Sequence, residues 1–186
     1  MTCRRPEGAE FAEFYAGYIA LVPETDPRPV LESQPAALRL LASRIGAEHE
    51  AFRYAPDKWS VRQTFGHLID TERVMGYRAF CISRGEAKPL PGFDQNDYVA
   101  NARSDERTVA EMVDEFSAVR AANLWVIRQW TSDDWSRAGN ANGKPVSARA
   151  LAFIMAGHLR HHAAILQDRY GIEPGAPSPS TPASSR

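Results

Sequence analysis

Apolar residues recur every three or four positions in four segments of the chain, which is the spacing of a helix that buries one face. The first segment covers residues 35–52. The second opens at Ser60, where SVRQ allows Ser60 and Gln63 to form a capping box, and it continues to about Ser83. These two segments predict two helices, separated by the irregular stretch RYAPDKW.

A third helix is predicted from near Thr108, because TVAE offers another capping box and apolar positions continue as far as Trp130. The fourth follows Ser147, a suitable N-cap, and ends near Tyr170, where Gly171 can terminate a helix. Strands and helices do not alternate, so no parallel sheet is predicted. Four helices of this length predict an all-α fold, a four-helix bundle.

The connections between these helices differ in length and composition. GEAKPLPGFDQNDYVANARSDE, between the second and third helices, is rich in Gly, Pro, Asn and Asp, and a loop this long is typically functional or partly helical. TSDDWSRAGNANGKPV predicts a loop or a short hairpin. The Pro- and Ser-rich end PGAPSPSTPASSR predicts a disordered tail, so we expect one domain over residues 1–172 and a tail over residues 173–186.

Composition narrows the function classes. The chain has 186 residues and a formal net charge of −1, without a basic stripe, so neither nucleic acid nor an anionic membrane is expected as a partner. No apolar run approaches the length of about 20 residues that a bilayer span requires. The two cysteines, Cys3 and Cys81, do not form a disulfide framework, so we expect a cytoplasmic protein.

The stretch GHLRHHAAIL concentrates three of the five histidines in the fourth predicted helix. At 100° per residue, His158 and His162 fall within the apolar stripe of that helix, and His161 falls at its edge. Buried imidazoles need partners for their nitrogens, and two at i and i+4 direct those nitrogens to one point, as in helical metal sites. Hydrogen bonds to a carboxylate or a carbonyl inside the bundle are the alternative.

A metal would need a third ligand from a facing helix. His67 lies on the shoulder of the apolar stripe of the second helix, whereas His49 is more central on the first. Periodicity alone does not choose between the two histidines.

Three motifs in this order, KWSVRQTFGHLIDTE, FDQNDY and GHLRHHAAIL, resemble the DinB/YfiT-like superfamily of small bacterial four-helix-bundle metalloproteins, over roughly residues 33–171. The resemblance implies a divalent metal, often nickel or zinc, held by three histidines at positions that match His67, His158 and His162. It leaves His49 as a packed core residue and His161 as an extra histidine that faces a neighbour or the pocket wall. Because family members are often dimers, it also implies a homodimer.

Three imidazoles leave a coordination position open, as in a catalytic site, and a metal there could acidify a bound water or a bound thiol. The first hypothesis is a transferase that acts on a small-molecule substrate, because the resemblance implies low-molecular-weight thiols such as bacillithiol or mycothiol. Asp97 and Tyr98 in FDQNDY, with Arg120 and His161, are candidates for binding the substrate. The alternative reading makes the aspartates of that motif turn or capping residues, and Arg120 a surface or paired arginine.

A metal-dependent hydrolase is the second hypothesis, and it needs a general base. Asp70 follows His67 by three residues, and Glu72 falls inside the apolar stripe of its helix, where a carboxylate must be paired or have a raised pKa. Either residue is a candidate base or a partner that orients an imidazole, and a buried ion pair to an arginine is the alternative for Glu72. A non-enzymatic metal-binding protein of the stress response is the third hypothesis.

Overall fold

A computed structural model describes residues 4–173 of the chain. Seven α-helices and one two-stranded sheet follow one another within these residues. The helices are α1 (Ala16–Ala20), α2 (Arg28–Ala42), α3 (Val61–Ser83), α4 (Gln95–Asn101), α5 (Val109–Ile127), α6 (Ser132–Ser136) and α7 (Ala148–Asp168), and the strands are β1 (Ala138–Ala141) and β2 (Lys144–Ser147).

The four long helices form a bundle, which confirms the predicted all-α fold. Helix α3 packs on α5 and α7, and α2 packs on the same two helices from the opposite side. Around the bundle the order is therefore α2, α5, α3, α7, so α2 lies opposite α3 and α5 lies opposite α7. This order places α3 beside α7, which carries the histidine-rich motif.

Capping residues set the starts of three long helices as the sequence predicts. Ser60 accepts a hydrogen bond from the backbone of Gln63, and Thr108 accepts one from the backbone of Glu111. Both form complete capping boxes, which satisfy backbone donors at the helix start. Ser147 caps α7 by accepting from the backbone of Ala150.

The first long helix corrects the prediction, because α2 covers Arg28–Ala42 and not residues 35–52. Pro35 lies inside the helix, where it has no N–H for the carbonyl of Leu31. Arg120 donates to that carbonyl instead, at 3.1 Å. Beyond Ala42 the chain continues through a short 3₁₀ turn, Ala47–His49, so its apolar spacing there reflects packing without an α-helix.

Both long connections contain regular structure. The one after α3 is partly helical, with α4 and the 3₁₀ turn Ser104–Glu106. The connection before α7 holds α6 and an antiparallel hairpin, which confirms the hairpin alternative. Asn142 and Gly143 form its turn with φ of 55° and 72°, the positive values that a tight hairpin turn requires.

A segment that precedes the first predicted helix covers one side of α7. Helix α1 packs on α7, and a Cβ atom added at Gly157 would lie 1.9 Å from the carbonyl oxygen of Tyr18, so only glycine allows this approach. Arg149 on α7 is buried and pairs with Glu10 of this segment. Phe153 on the same helix is also fully buried.

Several expectations concern the surface and the chain ends. Trp125 on α5 is 66% exposed, and the homodimer stays a prediction. None of the helices that the structure describes combines the length and the apolar character of a membrane span. The tail predicted over residues 173–186 lies outside the described residues beyond Glu173, and so does Cys3.

Candidate metal centre

Three histidines meet between α3 and α7. His67 comes from α3, and His158 and His162 come from successive turns of α7. One nitrogen from each ring can be chosen so that all three lie within 4.8 Å of one another. The Nε2 atoms of His67 and His158 are 3.0 Å apart. Residues that are 91 positions apart in the sequence are thus brought together by the packing of two helices.

Aromatic rings pack against two of the three histidine rings. The ring of Trp59 lies 4.6 Å from that of His67, and the ring of Tyr18 lies 5.4 Å from that of His158. On the inner side, Oγ1 of Thr71 is 3.5 Å from Nδ1 of His67, at the outer limit of a hydrogen bond. The three rings themselves are 4.5–4.9 Å apart by their centroids.

Burial keeps these imidazoles neutral. It lowers the pKa of His67 to about 4, with a smaller contribution from the charge of His161. It lowers the pKa of His162 to about 2, helped by His67 and His161. The pKa of His158 is also well below its usual value, through burial first and then the neighbouring histidines. Near neutral pH each ring therefore offers a free nitrogen lone pair.

The donor set fits a divalent ion. Imidazole nitrogens about 2.05 Å from a tetrahedral zinc ion are about 3.3 Å from one another. The 3.0 Å between His67 and His158 is close to this value, and His162 lies within the 4.8 Å limit. Small ring movements would bring the three nitrogens to one centre, with at least one coordination position left for another ligand.

Two cavities adjoin the centre. The first, of about 270 Å³, is bounded by His67 and His158 together with aromatic residues of the N-terminal segment. The second, of about 300 Å³, reaches His162 and includes Trp59 and Tyr170. A small molecule therefore has space on two sides of the histidines.

Glu72 and Arg120, two further predicted site residues, bind each other. Nε and Nη2 of Arg120 donate to the two carboxylate oxygens of Glu72 at 2.7 and 2.9 Å, and both side chains are buried. Asn123 donates to Glu72 and Gln34 accepts from Arg120, which completes the network. Glu72 is thus paired with an arginine, the alternative reading of the sequence. Arg120 likewise takes the paired role that the sequence left as its alternative, because its guanidinium is enclosed between helices and bonded to Glu72.

Asp70 lies away from the histidines. It is half-buried in a separate small cavity with Arg103, Arg107 and Glu115, on another side of α3. Burial raises the pKa of its carboxyl group, against the smaller opposing effect of Arg73. No atom of the three histidines lines this cavity, so the structure does not bring Asp70 to the centre.

The remaining predicted substrate contacts are separated. Asp97 is exposed on α4, where its backbone N–H donates to the capping residue Asp94. Tyr98 is 46% exposed and borders a different cavity. His161 is half-buried, with its ring 5.2 Å from that of Tyr18, so it adjoins the centre. His49 is elsewhere, since its Nε2 atom lies 2.9 Å from the carbonyl oxygen of Tyr170.

Sequence reasoning missed the aromatic wall of the first cavity. Phe14, Tyr15 and Tyr18 all line it, and all precede the first predicted helix. A signal was present, because Phe11, Phe14, Tyr15 and Tyr18 follow the i, i+3, i+4, i+7 spacing of an amphipathic helix.

The model of the DinB superfamily matches residues 31–166, and the chain therefore belongs to that superfamily. The aromatic residues of the N-terminal segment lie outside the matched range. No curated protein matches the sequence.

Solved structures share the fold. YfiT from Bacillus subtilis, described as a probable metal-dependent hydrolase with an unusual four-helix bundle topology, is 19% identical, with a TM-score of 0.71 over 92% of this chain and 95% of its own. The DinB-like protein YjoA of B. subtilis is 15% identical, with a TM-score of 0.55 over 78% and 90%. A mycothiol-dependent maleylpyruvate isomerase is 13% identical, with a TM-score of 0.61 over 74% of this chain and 58% of its own.

Proposed function

We propose that this member of the DinB superfamily is a metal-dependent enzyme whose metal ligands are His67, His158 and His162. The observation that carries the proposal is the meeting of three buried, neutral imidazoles whose nitrogens converge within 4.8 Å. A nickel or zinc ion bound there would acidify a thiol or a water molecule at its open position.

Transfer of a low-molecular-weight thiol to an electrophilic small molecule is the reaction that we favour. In such a transfer the thiol releases its proton to solvent, its sulfur forms a bond to carbon, and the leaving group departs with the electron pair of the broken bond. The reaction needs little help from a protein base once the thiol is acidified. Among residues 4–173, no carboxylate lines the first cavity; Glu72 is bound to Arg120 and Asp70 lies in another cavity.

Hydrolysis is the second candidate, because one residue near the centre can take up a proton. His161 is half-buried, its ring is 5.0 Å from that of His162, and burial lowers its pKa, so it is neutral near pH 7. A neutral imidazole beside an activated water can act as a general base. Replacement of His161 by glutamine would remove this base and leave the three proposed ligands in place.

Metal content is the first test. Untagged protein, purified without added metal, is expected to contain close to one divalent ion per chain by mass spectrometry. His158→Ala should lose this ion and keep the helical circular dichroism of the wild type. His49→Ala is the matched control, because His49 bonds to the backbone of Tyr170 away from the cluster, and it should keep the ion.

The reaction is then tested with defined probes. The metal-loaded protein is incubated with bacillithiol or mycothiol and the electrophile monochlorobimane, and the fluorescent thioether is measured. Thioether formation that depends on metal and on His158 supports transfer. Hydrolysis of a model ester without a thiol, lost in His161→Gln, would favour the second candidate. A wild-type protein that binds neither nickel nor zinc after dialysis would contradict both.

A further inference from the structure

Arg78 is a buried cation that has no acidic partner among residues 4–173. Its side chain is only 2% exposed, yet it borders the first cavity together with His67 and His158. Its guanidinium donates to the carbonyl oxygen of Pro91 at 2.7 Å, contacts the sulfur of Met75 at 3.7 Å and lies over the ring of Phe93. All of these partners are neutral, so none of them compensates the positive charge.

Arg120, by contrast, is a buried arginine of the same bundle whose charge is paired with a carboxylate. That side chain binds both oxygens of Glu72 and also bonds to Leu31 and Gln34. Burying a charge without a counter-charge costs much more than burying a paired one. Arg78 therefore retains an uncompensated charge in a position where an arriving anion can reach it.

Among the described residues, the first cavity has no acidic group that could pair with Arg78. Its remaining lining residues are aromatic, aliphatic or neutral polar, and none of them is acidic. The walls from Phe14, Tyr15, Tyr18 and Phe93 are suited to an apolar body, because flat rings bury large areas. The cavity thus combines an apolar wall with one cation and the histidines.

We propose that Arg78 binds the carboxylate of an elongated organic acid whose apolar body lies along the aromatic wall and whose other end reaches the three histidines. For the end of the acid that reaches the histidines, the proposal rests on the metal-dependent function proposed above. It adds the class of substrate that this site would bind. Arginine suits this role because its planar fork binds a carboxylate through two parallel hydrogen bonds.

The length of the ligand follows from α3. His67, Thr71, Met75 and Arg78 border the cavity in a row along this helix, and the eleven steps from His67 to Arg78 correspond to about 16 Å at about 1.5 Å per residue. The Arg78 side chain turns back toward Met75, which shortens the span. A very short acid such as acetate would not reach both ends, whereas an acid with an apolar spacer would.

The test measures binding in the absence of metal, so that zinc cannot be the partner of the anion. Isothermal titration calorimetry in EDTA compares phenylalkanoates of increasing chain length with the corresponding uncharged amides. We expect the wild-type protein to bind at least one carboxylate about tenfold more tightly than its amide, as for a charge-assisted pair. Arg78→Met should remove this preference, and Arg78→Lys should restore part of it.

Arg39→Met is the matched control, because Arg39 is exposed on α2 and pairs with Asp114, so the preference should remain. Equal binding of acids and amides by the wild type, including no binding of either, would overturn the proposal, even if Arg78→Met does not fold. A preference that persists in Arg78→Met would also overturn it. Zinc binding without any preference contradicts only the Arg78 site, whereas a preference without zinc binding supports that site and contradicts the metal centre.

Discussion

Two buried polar clusters lie side by side in this bundle, and they satisfy their polar atoms in different ways. In the first, the Arg120 network, Arg120 and Glu72 are joined by Gln34 and Asn123. Gln34 also donates to the carbonyl of Ala156, so the network links α2, α3, α5 and α7. In it, opposite charges neutralise each other inside the chain.

The second cluster, the three histidines, has no such internal partners. Among the described residues, the hydrogen bonds of these rings join His67 to His158 and, at 3.5 Å, to Thr71. The bundle supplies no carboxylate to complete them. Buried polar groups are normally completed by hydrogen bonds. The Arg120 network therefore satisfies its own polar groups, whereas the histidine cluster has imidazole nitrogens left for the metal proposed above.

Breaking the ion pair between Glu72 and Arg120 should have the largest effect on the free energy of unfolding. Glu72→Ala leaves the buried guanidinium of Arg120 without its counter-charge, so we expect the free energy of unfolding to fall by about 3–5 kcal/mol. Urea denaturation monitored by circular dichroism measures this loss. Glu32→Ala is the control, because Glu32 pairs with Arg128 on the surface and should cost about 1 kcal/mol or less. A loss for Glu72→Ala as small as that of the control would contradict the structural role of the network.

Binding of metal to the three histidines should stabilise the folded protein. Zinc at one hundred times its dissociation constant is expected to raise the free energy of unfolding by about 2.7 kcal/mol, because only the folded chain holds the three ligands together. Urea denaturation with zinc and with EDTA measures the difference. His162→Ala should abolish it, and His49→Ala should retain it. An equal response of both variants would mean that zinc binds elsewhere.

In the absence of metal, a fall in pH should destabilise the folded protein by way of these histidines. Their pKa values are lowered in the folded protein, to about 4 for His67 and about 2 for His162, so below about pH 6.5 the unfolded chain binds more protons. The stability that is present above pH 6.5 is therefore lost as the pH falls toward 4. Each ring contributes a slope of about 1.4 kcal/mol per pH unit.

His162→Leu should reduce that slope by the contribution of one ring. The measurement is urea denaturation in EDTA at several pH values between about 7 and about 5. Leu166→Ala is a suitable control, because Leu166 is buried on the same helix and does not titrate, so it should lower stability at every pH without changing the slope. A slope in His162→Leu equal to that of the wild type would show that folding does not lower the pKa of His162.

The sequence predicted the parts of the molecule that depend on local spacing. The capping boxes at Ser60 and Thr108 can each be recognised from four consecutive residues. The i, i+4 pairing of His158 and His162 follows from the helical repeat alone. Their convergence with His67 depends on which helices are neighbours. Periodicity did not give that information, which came from the resemblance to a family.

The errors have the same origin. Pro35 reads as the start of a helix, but the helix tolerates it because Arg120 bonds to the carbonyl that proline leaves without a donor. The position of Arg120 depends on packing between α5 and α2, which spacing along one helix does not contain. Likewise, the guanidinium of Arg5 lies over the ring of Phe153, a contact that spacing along α7 does not contain.

The smallest expected effect concerns the support of the histidine rings. In the Arg120 network the bonds that hold the charged groups are 2.7–2.9 Å long, whereas Thr71 lies 3.5 Å from Nδ1 of His67. Partners that orient a metal-binding histidine typically change affinity by about 10- to 100-fold. At this longer distance we expect Thr71→Val to weaken zinc binding by about tenfold at most, as measured by competition with a chromophoric chelator. Thr64→Val, at a buried threonine that bonds to Ser60 and Tyr170, should leave the affinity unchanged. A loss near 100-fold for Thr71→Val alone would mean that the hydrogen bond shortens when metal binds, so that the histidine cluster too gains internal support once its ligand arrives.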